Sequence, residues 1–301
     1  MKRRFFTLDV FTQVPLGGNP LAVVLDSQGL DDRDMQAIAG EFNLSETVFV
    51  LPPKDPKNRA ALRIFTPRKE LPFAGHPTVG TAVLLANLDG LESGQVRTMN
   101  LEEKVGLVPC RVEEIDKLSQ AEFDVPKLPL ATPLNIDTEL LVKALGIKAD
   151  QIGIVGHQHS VCDAGVAYPT VSVTDLSAIE AIKIDEAALA KCFEGTDIVA
   201  ELYVYTNQCV NDDADYHVRM FAPAFGIAED PATGSAAASF GAQIMAYDKP
   251  DDGDHTFVIE QGFEMGRPSR IELALKVENS ILKSASIAGS AVTISEGTLF
   301  I

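Results

Sequence analysis

The feature that most constrains this chain is an internal echo. Arg63-Ile64-Phe65-Thr66-Pro67 is matched, about half a chain later, by Arg219-Met220-Phe221-Ala222-Pro223. Each copy is a strand-like run ending at proline. After each comes a loop, then a glycine with a polar neighbour, then a helix rich in Ala, Thr and Ser. The first copy continues Phe73-Ala74-Gly75-His76-Pro77-Thr78 and the second Ala232-Thr233-Gly234-Ser235-Ala236. A period this long is not a solenoid repeat. It predicts two equivalent domains related by a pseudo-twofold axis. With 301 residues, 46% of them hydrophobic, the chain can bury two cores without external staples.

Both echo loops deliver a glycine to a helix N-terminus. Glycine lets backbone approach a ligand closely. The first helical turn offers N–H groups with no intrahelical acceptor and a positive dipole end. Two such termini suit a carboxylate or an enolate-like transition state. Pro77 sits where a first-turn proline is tolerated. The chain carries neither a nucleotide P-loop, since no Lys follows Gly234, nor a G-x-G-x-x-G fingerprint.

Alternation predicts strands over Arg4 to Phe11, Leu21 to Leu25, Thr47 to Leu51, Ala61 to Phe65, Gln95 to Leu101, Gly106 to Val112, Leu202 to Thr206 and Tyr216 to Phe221. Helical spacing marks Asp31 to Phe42, Thr78 to Asn87, Leu140 to Leu145, Ala187 to Phe193 and Ser235 to Met245. The charged, proline-bearing stretch Glu113 to Asp137 reads as the connection into a second domain. Pro250 to His255 reads as an acidic loop, and two short strands, Ala291 to Ile294 and Thr298 to Ile301, close the chain.

A net charge of −18 repels a phosphate backbone and argues against nucleic acid as partner. It leaves room for a small acidic metabolite, because local backbone dipoles hold anions within acidic proteins. Asp9 interrupts the apolar run after Met1-Lys2-Arg3-Arg4, so no signal-peptide core forms, and no stretch has the length of a membrane helix. The expected location is cytoplasmic, with no membrane partner. Cys110, Cys162, Cys192 and Cys209 match no disulfide or zinc spacing and read as reduced thiols.

Among the ionisable groups, Glu46 stands just ahead of the apolar run Thr47-Val48-Phe49. Partial desolvation there raises a carboxyl toward useful acid–base values. Asp230 precedes the second glycine helix and could serve as its cap. His76 follows Gly75 at the first helix. His157-Gln158-His159 could set two rings on one strand face, but no carboxylate–His framework completes a site, so no metal is expected.

The segments GGNP at Gly17 to Pro20, NLSETVF at Asn43 to Phe49, LPFAGHPTVGTA at Leu71 to Ala82 and EDPATGSAAASF at Glu229 to Phe240 resemble the phenazine-biosynthesis-like isomerases, the PhzF family. The resemblance runs over essentially the whole chain. It implies the diaminopimelate-epimerase-like α+β fold: two pseudo-symmetric domains, each a curled, mostly antiparallel sheet around a central helix, with the active site in the cleft between them. The expected domains are residues 1–118 with about 290–301, the last strand returning to the first domain, and 119–289. The resemblance also implies a homodimer that uses no cofactor and shifts a proton on a small carboxylate-bearing metabolite. Carried over, the acid/base glutamate is Glu46, with His76, Asp230 and Ser235 in support. Gly75 and Gly234 supply backbone donors to the substrate, and Asn19 and Thr233 line the site. Diaminopimelate epimerase and proline racemase resemble this architecture but use one thiol from each half. Here the corresponding positions read as Gly75 and Asp230, and no cysteine falls in either loop. The alternatives are an epimerase or lyase acting on an amino-acid-like acid, and a non-catalytic member of the fold that binds a metabolite or protein. The stretch Gly156 to Tyr168 departs from the family pattern and is read as shaping a different substrate pocket.

Overall fold

The computed structural model describes residues 2–115 and 118–301. The chain divides into two compact units, Met1–Asp124 with Ile287–Ile301, and Val125–Ser286.

The first unit contains β1 (Lys2–Val10), β2 (Asn19–Val24), α1 (Asp32–Phe42), β3 (Glu46–Leu51), β4 (Ala60–Phe65), β5 (Glu70–Leu71), α2 (Gly75–Leu88), β6 (Val96–Glu103), β7 (Gly106–Ile115) and β8 (Leu118–Asp124). β1 pairs antiparallel with β2, β2 parallel with β3, β3 antiparallel with β4, and β4 parallel with β6. β5 adds antiparallel to β4, and β6, β7 and β8 form an antiparallel meander. α2 is buried from Gly75 to Ala86 and packs on β1, β2, β3, β6, β7 and β8, so the sheet curls around it. Its lack of a polar face is what permits that position. α1 is the ordinary amphipathic case: Asp31 caps it, accepting from the Asp34 N–H, and its Met35, Ile38 and Ala39 face the core.

The second unit contains β9 (Leu130–Pro133), α3 (Thr138–Leu145), β10 (Ser160–Asp163), β11 (Ala167–Ser172), α4 (Leu176–Glu180), α5 (Glu186–Cys192), β12 (Leu202–Thr206), β13 (Tyr216–Ala222), β14 (Ile227–Asp230), α6 (Gly234–Tyr247), β15 (Gly253–Gln261) and β16 (Ser269–Glu278). Its pairing repeats the first unit's order. β10 to β11 is antiparallel, β11 to β12 parallel, β12 to β13 antiparallel, β13 to β15 parallel, with β14 added antiparallel to β13 and β16 antiparallel to β15. α6 is buried along most of its length and packs on β9, β10, β11 and β16. A final strand, β17 (Ile281–Phe300), runs unbroken to the C-terminus, and from Ala291 to Phe300 it pairs antiparallel with β1.

Two expectations change and one gains detail. The stretch Glu113 to Asp137 does hold the passage between the units, at Asp124 to Val125, but it also carries strands: β7 runs to Ile115, β8 and β9 follow, and residues 116 and 117 lie outside the described part. β8 alternates as a half-buried strand should, with Ser119, Ala121 and Phe123 inward. The loop after Pro250 is short, since β15 begins at Gly253. The two terminal strands are one, because Gly297 between them does not break β17: it makes room for the ring of its cross-strand partner Phe5, whose Cε1 would lie 2.6 Å from a Cβ there.

Candidate active site

Register fixes how the two units correspond. Phe65 of the first echo faces Thr47, and Phe221 of the second faces Leu202. Equating the two phenylalanines makes Glu46 the counterpart of Glu201, the buried residue just before β12. Continuing across the parallel pairs makes Leu21 the counterpart of Tyr168. The echo loops match without a gap from Glu70-Leu71-Pro72 through Gly75-His76, and from Glu229-Asp230-Pro231 through Gly234-Ser235.

In the first unit Glu46 opens β3 opposite Leu21 of β2. Leu21 and Val10 press on α2 at Gly80, where a Cβ would lie 2.7 Å and 2.6 Å from their side chains. One turn earlier on the same helix face is His76. Its Nε2 lies 3.2 Å from Glu46 Oε2, with both side chains buried. Burial pushes the His76 imidazole down to about 3, so at neutral pH it is uncharged, and the contact is between a carboxyl group and a neutral ring. Asn19 lies buried at the start of β2, opposite Val10 and on the face of β2 that carries Leu21. The N-cap of α2 is Ala74, which offers no side-chain acceptor. The helix itself supplies no acceptor for the N–H groups of Gly75 and His76, and Pro77 has none to satisfy.

The strand leading into this helix is tied by charge. Arg63 grips Glu70 with two hydrogen bonds, Nε to Oε1 at 2.7 Å and Nη2 to Oε2 at 2.6 Å, and Lys104 Nζ donates to Glu70 at 2.6 Å. Together these hold the Glu70 carboxyl below the usual carboxylate range against the opposing effect of burial. Val105 N–H donates to the Pro72 carbonyl, so the β6–β7 turn closes over the loop.

In the second unit Arg219 grips Glu229 in the same way, at 2.8 and 2.9 Å, and also donates through Nη1 to the carbonyls of Ile179 and Ile182. Asp230 Oδ2 accepts from Thr233 Oγ1 at 2.5 Å. Gln261 ties this loop down, donating to the Asp230 carbonyl and accepting from the Thr233 N–H. Gly234 and Ser235 begin α6, and Ser235 Oγ lies 2.7 Å from the Tyr168 hydroxyl. Behind the loop, His217 is clamped between Glu260 at 2.8 Å and Glu264 at 2.9 Å. Burial opposes its charge, but the two carboxylates prevail and raise it to about 9.

Glu46, His76, Gly75 and Asn19 therefore gather in the first unit, and Asp230, Thr233, Gly234 and Ser235 in the second. His157 and His159 lie in the loop before β10 rather than on a strand. His157 Nδ1 meets the Tyr205 hydroxyl at 2.8 Å and its ring stacks on Tyr247, while Gln243 donates to both Tyr205 and the Gln158 carbonyl. These contacts pin the segment to α6. Among the described residues no three His, Cys, Asp or Glu side chains gather as a metal site. All four thiols are pushed up, chiefly by burial, Cys162 to about 11 and Cys209 to about 12; none is a ready thiolate.

Sequence reasoning missed Tyr168, Gln261, and the two Arg–Glu grips. The grips were visible in principle, since an Arg and a Glu stand at matching places in both copies of the echo. Tyr168 was not, because its place opposite Ser235 depends on strand register.

The family model "Phenazine biosynthesis-like protein", PhzC-PhzF, matches residues 8–297. An uncharacterized isomerase of Mesorhizobium japonicum is 50% identical over 301 residues, covering 99% of each chain. The trans-2,3-dihydro-3-hydroxyanthranilate isomerase of Pseudomonas fluorescens is 34% identical over 296 residues, covering 98% of each. The crystal structure of a PhzF-family phenazine biosynthesis protein from Bacillus anthracis superposes with a TM-score of 0.90 at 27% identity, covering 100% of both chains. The fold is thus the epimerase-like α+β architecture that the motifs implied. On sequence, fold and the motifs at both helix starts, this chain belongs to the phenazine biosynthesis-like protein family and is an isomerase.

Proposed function

We propose that this isomerase shifts a proton between two carbons of a small carboxylate-bearing metabolite, with Glu46 as the acid/base and without a cofactor. The observation that carries the reading is the buried contact between Glu46 and an uncharged His76 at the start of α2. Glu46 as carboxylate takes a C–H proton and becomes the acid. It then returns that proton to a neighbouring carbon of the conjugated system. The substrate is redox-neutral overall and the enzyme is restored. The neutral ring of His76 can donate to the carboxylate or accept from the acid, so it serves both halves of the cycle. Backbone N–H groups at Gly75 and Gly234 take the substrate's anionic groups. Asp230 and Ser235 orient the substrate or relay a proton, and Asn19 and Thr233 line the site. The raised thiols speak against a scheme using one cysteine per half.

The relative from Pseudomonas fluorescens names the first compound to try, trans-2,3-dihydro-3-hydroxyanthranilate. It belongs in an NMR screen in D2O with other cyclic and amino acids bearing activated C–H bonds. Deuterium entering one compound with wild type and not with Glu46→Gln supports the proposal. Undiminished exchange by Glu46→Gln refutes the assignment. The family resemblance adds a cytoplasmic homodimer to the proposal, and sedimentation at the monomer mass would remove that part.

A further inference from the structure

Glu103 ends β6 and is buried beside the first turn of α2. Its Oε1 lies 2.8 Å from Thr78 Oγ1. The same Thr78 oxygen lies 2.8 Å from the Ala74 carbonyl. A threonine hydroxyl has one hydrogen, and a carbonyl has none to give. If Thr78 donates to Ala74, the second short contact needs a hydrogen from Glu103. If Glu103 is instead a carboxylate that takes Thr78's hydrogen, the Thr78 and Ala74 oxygens face each other at 2.8 Å with nothing between them.

Two further observations choose between these arrangements. Glu103 Oε2 is buried and has no hydrogen-bond partner, which is costly for a carboxylate oxygen and tolerable for the C=O of an acid. No cation pairs with Glu103 among the described residues; its neighbour Lys104 is spent on Glu70. The titratable group beside it is the Cys110 thiol of β7, itself pushed up chiefly by burial and so uncharged. Burial raises Glu103 to about 8, in agreement with the proton count.

We propose that Glu103 is a positioning residue, held as the neutral acid, whose proton goes to Thr78 Oγ1 and so keeps the Thr78 hydrogen on the Ala74 carbonyl. That carbonyl and the Gly75 N–H belong to one planar trans peptide. Fixing the C=O into the helix, where it also accepts from the Thr78 N–H at 3.2 Å, fixes the Gly75 N–H pointing the other way, out of the helix start. The uncharged acid also leaves the positive end of α2 to an incoming anion, where a carboxylate would compete for it. Its functional meaning rests on the reading that Gly75 binds substrate, but its test does not.

The test is made on the folded protein without substrate. Infrared difference spectra between wild type and Glu103→Gln at pH 6.5 should show a protonated-carboxyl C=O band that the variant lacks. Hydrogen exchange at the Thr78 amide should be within about twofold of wild type in Glu103→Gln, whose amide can still donate to Thr78, and at least about tenfold faster in Glu103→Ala. No protonated band in wild type overturns the proposal, even if the alanine variant fails to fold. So does a Glu103→Gln variant that exchanges as fast as Glu103→Ala. Neither readout depends on turnover, so failure of the proton-shift reading leaves this result standing, and the reverse.

Discussion

The starts of α2 and α6 occupy equivalent places in two units with the same order of strand pairing, yet they carry different chemistry. At α2 the residue after the glycine is His76, and a carboxyl group meets it. At α6 it is Ser235, and a phenol meets it. The partner also comes from a different strand. Glu46 comes from the start of β3, whereas Tyr168 stands in β11 where the first unit has Leu21. One scaffold thus presents a carboxyl group against an uncharged imidazole at one helix start, and two hydroxyls in contact at the other. The common frame does the positioning, and two side-chain choices decide which groups meet there.

The comparison breaks most sharply at the glutamates. Glu46→Gln should lower turnover by about 10²–10⁴-fold, the usual contribution of a positioned acid/base. Glu201→Gln, at the matching place, should cost turnover no more than severalfold, because the residue opposite it in the frame is a serine already engaged by Tyr168. Steady-state kinetics on the exchanging compound decides this. Equal losses would mean that the two halves share the chemistry.

The Arg–Glu grips come next. Arg219→Ala strands Glu229 and uncovers two carbonyls in a site where the Arg219 side chain is only 8% exposed, and should cost about 3–5 kcal/mol in denaturant unfolding. Arg63→Ala removes the equivalent grip from a side chain 21% exposed, with the outlying partner Asp32 at 85%, and should cost about 1–2 kcal/mol.

The two buried histidines should respond to pH with opposite sign. His217 has a native value of about 9, above the 6.5 of a free imidazole. Its stabilisation is complete below pH 6.5 and lost as pH rises through 9, about 3 kcal/mol in all. His76, pushed down to about 3, lies below the free value. Its contribution is present above pH 6.5 and lost as pH falls toward 3, at about 1.4 kcal/mol per pH unit. Unfolding free energies across pH for His217→Gln and His76→Gln should flatten the alkaline and acid arms respectively. Both variants flattening the same arm would contradict the assignment.

Smallest is Tyr168→Phe, which removes one hydrogen bond to Ser235. It should cost about 1 kcal/mol, seen as a severalfold rise in KM with kcat little changed. A fall in kcat as large as that of Glu46→Gln would move the proton chemistry to the second unit.

Much of this was legible in the sequence. Arg63 to Pro67 and Arg219 to Pro223 announce the duplicated frame because strand, proline and glycine helix must be preserved for either unit to close. Gly75, His76, Asp230 and Ser235 stand out because they sit in the loops and helix starts those elements frame, and Glu46 because an apolar strand follows it at once. The echo does not show beyond the loops. β1 to β2 and β10 to β11 are equivalent in pairing, but a long turn joins the first pair and three residues the second, so Cys162-Asp163-Ala164 gives no hint that it repeats Leu8-Asp9-Val10. Tyr168 and Glu201 become meaningful only once cross-strand register is known. At Glu113 to Asp137 the prolines mark the passage between units but conceal its strands, since Pro126 and Pro129 lie between strands and Pro133 ends one.

The most direct test of the central claim follows the migrating hydrogen itself. The compound identified by exchange would be labelled with deuterium at the carbon that loses its hydrogen, turned over in H2O, and its product read by NMR. A single shuttling carboxyl predicts that part of the label appears at the new carbon, and that Glu46→Gln abolishes the transfer. Complete washout of label with inversion at the original carbon would contradict it, and would require a second base on the opposite face.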